Sequence, residues 1–439
     1  MINLGTGQAK RRSAIALLAT VALGLATTSC SPGNDAPKAD GPPSGDIRVL
    51  SNWSGPEAEA FDAVVKGFSA KYPDVSVKVE SVPFDQTQSV LTQQFAAGSP
   101  PDAAVALPGM VRQLAQQGLL MDVDGIWDTW VKNGEYNDSL RAIAAGSDNH
   151  TDAVYVKGNV NGLIWHTTAR TKALGMSAPP ATWPELTTML DKYKASGVAP
   201  FSVGAKDVWV PTQWMDPILL NVAGEEKFNK LARGEIGWDD ADVAKAVTVF
   251  STMIRDYWPK NALDTGFSDE TCGWVKGKNA FANNGAFVNG IVASCDPSLR
   301  PGTDYTFFTL PPFEGTDKPA QAVSGDLFVG AKESKNPVAT RAFLEYLGSV
   351  DAQTIWAKRG GYIAPNMKVP SSVYPTANDK AAAELWPKDA ASQAGYDLDD
   401  WIGGELQSKY RNALVELVRS QDAAAFIDTM KAADTRSNG

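Results

Sequence analysis

The sequence predicts an α/β protein in which mainly parallel sheets are covered by helices, with enough chain for two domains of ordinary size. Three observations predict this. Short runs with the alternation of a strand are followed repeatedly by runs with the 3, 4 and 7 spacing of one buried helical face. About 390 residues remain after an N-terminal export signal and a polar tether, more than one core usually organises. No period of fixed length recurs, which sets aside solenoids and propellers.

The N-terminus comes first. Lys10-Arg11-Arg12 is a positive start, and residues 14–26 form an uncharged apolar run too short to span a bilayer as a stable helix. Thr27-Thr28-Ser29 then lead small residues up to Cys30. Residues 1–29 read as a signal peptide. A cysteine directly after the small residues resembles the lipobox of bacterial lipoproteins, which implies a lipidated Cys30 at the mature N-terminus. Thr27 stands where that pattern usually has Leu, and ordinary cleavage near Ala26 is the competing reading. Residues 30–45 read as a flexible tether, because Ser31 to Gly45 is rich in Pro, Gly, Asp and Ser and has no apolar period.

The elements follow in order. Ile47 to Ser51 is a strand, and Ser54-Gly55-Pro56-Glu57 opens a helix with proline and an acid in its first turn. Phe61, Val64, Val65 and Phe68 mark its buried face, and Tyr72-Pro73-Asp74 stops it. Val75, Val77 and Val79 alternate as a strand. Val90, Leu91, Gln94 and Phe95 mark a helix stopped by Gly98, Ala103 to Leu107 a strand, and Met110, Val111 and Leu114 a helix ending at Gly118. Leu163-Ile164-Trp165 is a strand core. Thr182-Trp183-Pro184-Glu185 is a capping box ahead of Leu186, Met189, Leu190 and Tyr193. Asn336-Pro337 starts a helix that Gly348 ends, and Leu406, Tyr410, Leu414, Leu417 and Val418 keep helical period before a short helix around Phe426 and Met430.

Composition narrows the chemistry. Removing Lys10, Arg11 and Arg12 with the signal takes the net charge from −10 to −13, and no basic block occurs, which disfavours nucleic acid and anionic lipid as partners. The two histidines, His150 and His166, lie far apart and near no CxxC pair, so neither a metal nor any other cofactor is expected. His150 follows Gly146-Ser147-Asp148-Asn149 in loop-like sequence, and no GxSxG elbow occurs, so serine–histidine hydrolysis is disfavoured. Cys272 and Cys295 are the only thiols after Cys30; in an oxidising compartment they read as a disulfide, with two free buried thiols as the alternative. Thirteen tryptophans are a high load, and an indole is a flat apolar surface suited to a sugar ring.

The segments also resemble a known family. Tyr72-Pro73-Asp74-Val75, Ala96-Ala97-Gly98-Ser99-Pro100-Pro101-Asp102 and Leu114-Ala115 through Gly118-Leu119 resemble the N-terminal lobe of family 1 extracellular solute-binding proteins, the sugar receptors of ABC importers. Pro179-Pro180-Ala181-Thr182-Trp183-Pro184-Glu185-Leu186 is similar to that family's most specific signature. Gly277-Lys278-Asn279-Ala280-Phe281 with Asn284-Gly285-Ala286-Phe287 resembles its glycine–lysine segment, with Phe287 where Trp is common. Gly360-Gly361-Tyr362-Ile363-Ala364-Pro365-Asn366 resembles its late glycine–proline turn. Tyr396-Asp397-Leu398-Asp399-Asp400 and Trp209-Val210-Pro211-Thr212-Gln213-Trp214 resemble the α-glucoside-type branch. The resemblance implies a type II periplasmic-binding-protein fold. Its first lobe would hold 46–157 plus 304–347, its second 158–303 plus 348–439, with ligand in the cleft between them.

A sugar offers hydroxyls and flat C–H faces, so a site for it needs carboxylates or amides and aromatic planes. Trp53, Ser54 and Glu57 follow the first strand, where a loop would reach the cleft; Glu57 could equally serve only the helix dipole. Pro108 and Gly109 could approach by backbone or form a plain turn. Trp209 and Trp214 flank Pro211, with core packing as the alternative for Trp214. Phe287 and Asn289 occupy the place of an aromatic sugar platform in the resemblance. Asp326 precedes a strand, and Tyr362 sits in a glycine-flanked turn as an aromatic wall. Asp397 and Asp400 could bind ligand or cap local backbone, with capping favoured for Asp400. Asn161 and Trp165 fall near the expected crossover. Trp127, Trp130, Trp238, Trp258, Trp274 and Trp386 read as structural.

The function expected is capture of a sugar or oligosaccharide by a monomeric lipoprotein on the extracellular face of the bacterial cell membrane. Delivery would be to the permease of an ABC importer, and no bond would be broken. A secreted glycoside hydrolase, using two carboxylates about 5–9.5 Å apart, is the rival. A receptor for a peptide or other polar solute is a third reading.

Overall fold

The structure, a computed structural model, describes residues 41–146, 150–197, 199–313, 320–387 and 394–438. The signal peptide, Cys30 and the tether up to Asp40 lie outside the described residues. Among the described residues ten strands form two sheets: β1 Gly45–Ser51, β2 Val75–Ser81, β3 Ala103–Ala106, β4 Ala153–Val160, β5 Leu163–Thr167, β6 Phe201–Ser202, β7 Phe281–Asn284, β8 Tyr305–Thr309, β9 Gln321–Gly330 and β10 Ala394–Tyr396. The first sheet runs β10-β9-β3-β1-β2, with β4 also on β9; the second runs β6-β7-β5-β8.

Local chemistry explains the elements. The helix Gly55–Lys71 starts with Pro56 in its first turn and buries Phe61, Val64 and Phe68. Thr182 caps Trp183–Ala195 by accepting from the Glu185 amide, while the Glu185 carboxylate reaches back to the Ala181 amide at 2.7 Å. That helix buries Leu186, Leu190 and Tyr193. The strand β4 is buried along its whole length, as a central strand must be when both faces are covered.

The first sheet has more parallel than antiparallel pairs, as expected, whereas the second is mainly antiparallel. In the first sheet β1–β2, β1–β3 and β9–β10 are parallel, but β3–β9 and β4–β9 are antiparallel. In the second only β6–β7 is parallel, and β5 is antiparallel to both β7 and β8. Alternation of strands and helices fixes direction only while the chain stays in one sheet. Here it leaves the first sheet through β4 and re-enters through β9, and each crossing reverses the sense. These two strands pair from Ala153↔Val329 to Val160↔Val323 and join the lobes.

Two lobe boundaries also differ from those expected. β8, placed in lobe one by sequence, pairs with β5 in the second sheet, so the return crossing lies after Thr309 rather than at 304. The helix Val350–Ala357, placed in lobe two, packs on Gly55–Lys71 of lobe one, because Trp356 joins Trp53 and Phe61 in one aromatic cluster. A second core lies under the helices Thr212–Arg233, Ala241–Tyr257, Gly404–Ser420 and Ala423–Ala433, where Trp214, Trp238, Tyr410 and Phe426 are buried.

Candidate ligand-binding site

After β1 the chain turns through Asn52 and Trp53 into the helix Gly55–Lys71, whose first turn carries Glu57. Across from it β4 and β9 set Lys157 opposite Asp326 in register. The Lys157 ammonium donates to Glu57 and lies 3.8 Å from Asp326 Oδ2, which also accepts from Trp53 Nε1 at 3.1 Å. Burial pulls the Lys157 pKa down, but Glu57 and Asp326 outweigh it and the net shift is upward. Burial raises the Asp326 pKa, and Lys157 offsets only part of that. Two carboxylates around one ammonium make this group unsuited to an anion and suited to hydroxyls.

The structure brings Trp53, Glu57 and Asp326 together, but Trp53 is not a free platform. It is 3 % exposed, with its ring 4.7 Å from Phe61, 5.8 Å from Phe328 and edge-on to Trp356 at 4.6 Å. Tyr362 stacks on Trp356 at 5.0 Å and donates to the Val156 carbonyl, so it too faces protein rather than a cleft. Trp214 is wholly buried between Phe201 and Trp258, on the inward face of its helix. Asn289 is used up by structure: its amide donates to Asp379 and Thr376, and its oxygen accepts from Tyr305 and Asn378. Ser54 is exposed at the helix start and makes no capping bond.

Trp209 and Phe287 differ. Both are half-buried, and with Phe267 they form a patch of three rings with centroids 5.1, 5.5 and 6.0 Å apart. Phe287 folds back against the end of β4: a Cβ on Gly285 would lie 2.4 Å from its ring and 2.5 Å from Asn159 Nδ2. Asn159 shares a face of β4 with Lys157, two residues earlier. The aromatic patch and the charged group are therefore neighbours along the strand that joins the lobes. The bonded pair Cys272–Cys295, Cα atoms 5.1 Å apart, ties the helix Phe267–Val275 to Val288–Cys295 and so fixes Phe267 beside Phe287. On the helix that carries Phe267, Glu270 is buried, accepts from the Gly204 amide at 2.8 Å, and has its pKa pushed up to about 8 by burial.

Asp397 starts the short helix Leu398–Ile402 and is buried. Its Oδ2 accepts from Asn161 at 2.8 Å and Gln213 at 3.0 Å, so it braces the crossover to lobe two. Asp216 and Asp399 converge on it, their ligand atoms within 4.8 Å of one another. Burial and then Asp399 push the Asp216 pKa up to about 7, although Tyr410 and the Leu398 amide donate to it. Burial also presses on Asp399, but Arg411 holds it below the usual carboxylate range, while burial and then Asp399 raise Asp400 despite Arg411 at 3.4 Å. One guanidinium serves this whole group.

Between the ends of β1 and β3 and the helices Leu398–Ile402 and Gly404–Ser420 lies a cavity of about 60 Å³. Phe84, Leu91 and Met110 line it from lobe one, and Asp400, Gln407 and Arg411 from lobe two. Pockets for small molecules are usually above about 300 Å³, so a sugar ring enters this gap only if the lobes separate.

Two α/β lobes joined by a strand pair, with polar and aromatic side chains gathered at the junction, have the architecture of a two-lobed solute receptor. The chain belongs to the bacterial extracellular solute-binding protein family, whose sequence profile matches residues 52–354. It is 26 % identical to the alpha-glucosides-binding periplasmic protein AglE of Rhizobium meliloti, over 86 % of this chain and 84 % of that protein. It is also 26 % identical to an ABC transporter extracellular-binding protein of Pyrococcus horikoshii, covering 94 % and 95 % of the two chains. The solved solute receptor AcbH, described as having an exclusive preference for β-D-galactopyranose, superposes with a TM-score of 0.78 at 20 % identity, over 90 % of this chain and 99 % of that one.

Sequence reasoning missed Lys157, Phe267, Phe84, Asn52 and Arg411. A lysine inside the apolar run Ala153–Val160 was the signal available for the first. The others become visible only when two distant segments meet.

Proposed function

We propose that this protein captures a neutral sugar or oligosaccharide between its lobes and delivers it to the permease of an ABC importer without chemical change. The observation that carries this is the adjacency along β4 of the Glu57–Lys157–Asp326 group and the Trp209–Phe267–Phe287 patch. Hydroxyls need the first and a pyranose face needs the second. In this reading Trp209 and Phe287 stack on the ligand, Glu57 and Asp326 accept from its hydroxyls, and Asp397 holds the crossover. The α-glucoside relative supports an α-linked ligand. Export through the signal at 1–29 and lipidation of Cys30 would hold the monomer at the outer face of the cell membrane.

Thermal shift with maltose, trehalose, raffinose and D-galactose tests the reading, because a ligand bound only by the folded state at 100 Kd stabilises it by about 2.7 kcal/mol. At least one sugar should raise the midpoint and remain intact on prolonged incubation. Release of product would move the assignment to a glycoside hydrolase, and no shift with any sugar would remove the carbohydrate reading.

A further inference from the structure

Asn52, the first residue after β1, is 9 % exposed and lines the cavity between the lobes. Its Oδ1 is buried with no partner, and its side chain makes no hydrogen bond within the described residues. A buried amide left open at its acceptor costs stability, and folds normally avoid it. The open end therefore points to something supplied from outside. An amide that must both accept and donate is matched by hydroxyl groups, which do both. Around it Phe84, Leu91 and Met110 offer apolar contact, while Arg411, the cation in the lining, is already paired with Asp399 and Asp400 and so is not free for a carboxylate or phosphate. The volume of about 60 Å³ holds a few waters or a hydroxymethyl arm, less than a ring.

We propose that this cavity is a subsite for a hydroxyl-bearing end of the ligand, and that Asn52 of lobe one recognises it opposite Asp400 and Gln407 of lobe two. The inference rests on the sugar reading and deepens it. It names a neutral polyol end as what the subsite takes and makes the subsite complete only when the lobes meet. Free Asn52 carries a stability cost that bound ligand relieves.

Asn52→Leu keeps the size of the side chain and removes both polar ends; Asn52→Ser keeps a donor and an acceptor. Without sugar, Asn52→Leu should melt at or above the parent temperature, since no bond of Asn52 is lost. Calorimetry with whichever of maltose, raffinose and D-galactose the parent binds tightest should show Asn52→Leu weakened at least about tenfold, and Asn52→Ser less. Binding within about threefold of the parent overturns the proposal. So does an Asn52→Leu variant that melts well below the parent, which would make Asn52 a structural residue. A parent that binds none of the three overturns the sugar reading itself, and the ligand-free melting then decides whether Asn52 is an open amide.

Discussion

Gly109 and Gly403 touch backbone to backbone across the two lobes: a Cβ on Gly109 would lie 2.4 Å from the Gly403 Cα, and one on Gly403 2.6 Å from the Gly109 Cα. Gly109 sits in the helix Pro108–Gln116 behind β3, and Gly403 joins the short helix Leu398–Ile402 to the long helix Gly404–Ser420. One turn further along, the Arg112 guanidinium lies 4.3 Å over the Trp401 ring, across the same contact. The close approach of these two segments thus depends on two missing side chains as much as on any present one.

Gly109→Ala should therefore bind sugar more weakly while folding normally. Gly403 has φ +61°, where any side chain is strained, but Gly109 has ordinary helical backbone and accepts alanine when the lobes are apart. The added methyl meets backbone only in the closed form. Small-angle scattering should show the parent contracting with ligand and Gly109→Ala contracting less, with affinity reduced at least about tenfold. Equal contraction would mean that the contact is not formed on closure.

The aromatic residues should separate into two kinds. Trp209→Ala and Phe287→Ala should each cost roughly 2–4 kcal/mol of binding, about thirtyfold to thousandfold, with little change in melting. Trp53→Ala and Tyr362→Ala should instead cost roughly 3–5 kcal/mol of stability, because both rings are buried against Trp356. Denaturant titration with calorimetry on all four variants distinguishes the two. The opposite assignment, with Trp53 and Tyr362 controlling affinity at full stability, would move the platform to lobe one.

How much of this was legible in the sequence depended on the range of the physics involved. The helix Trp183–Ala195 was readable because Thr182, Glu185 and the apolar period lie within thirteen residues of chain. Cys272 and Cys295 were readable by elimination, since no other thiol follows Cys30. Strand direction was not, because nothing in Leu163–Thr167 or Tyr305–Thr309 records that the chain has just changed sheets. Trp53 was placed beside a cleft because it follows a strand end and Tyr362 because glycines flank it, whereas Trp356, 303 residues after Trp53, packs against both rings. Asn52 carries no signal in one dimension; its open amide exists only once helices from the last fifty residues stand opposite it.

Lipidation of Cys30 is open to a direct test. Cys30→Ala, expressed in the native envelope with its signal intact, should appear in the medium, whereas the parent stays with membranes. One acyl modification alone binds membranes only marginally, so the diacylglycerol expected on a lipobox cysteine is what would retain it. Retention of Cys30→Ala would mean that some other contact holds the protein.

Acid carboxyls buried in lobe two should make the fold less stable as pH rises. Glu270 normally titrates near 4.5, and burial pushes it up to about 8; Asp216 goes from 3.8 to about 7, through burial and then Asp399. Below about pH 4 both states hold these protons, and the native carboxyls incur no difference. Between there and about pH 8 the native state keeps protons that the unfolded chain has released, so the stability they allow falls steadily and then levels off. Asp399, held low by Arg411 against its burial, acts in the opposite direction and only below its ordinary range, leaving the window from 5 to 8 to the raised groups. Glu270→Gln keeps an acceptor for the Gly204 amide and carries no charge at any pH. Its melting temperature should match the parent's near pH 5 and exceed it by several degrees at pH 8, a difference of a few kcal/mol at most. Melting curves of both proteins across pH 5 to 8 measure it. Parallel curves with a constant offset would show that Glu270 is ionised throughout, and that its burial is compensated by a partner other than a proton.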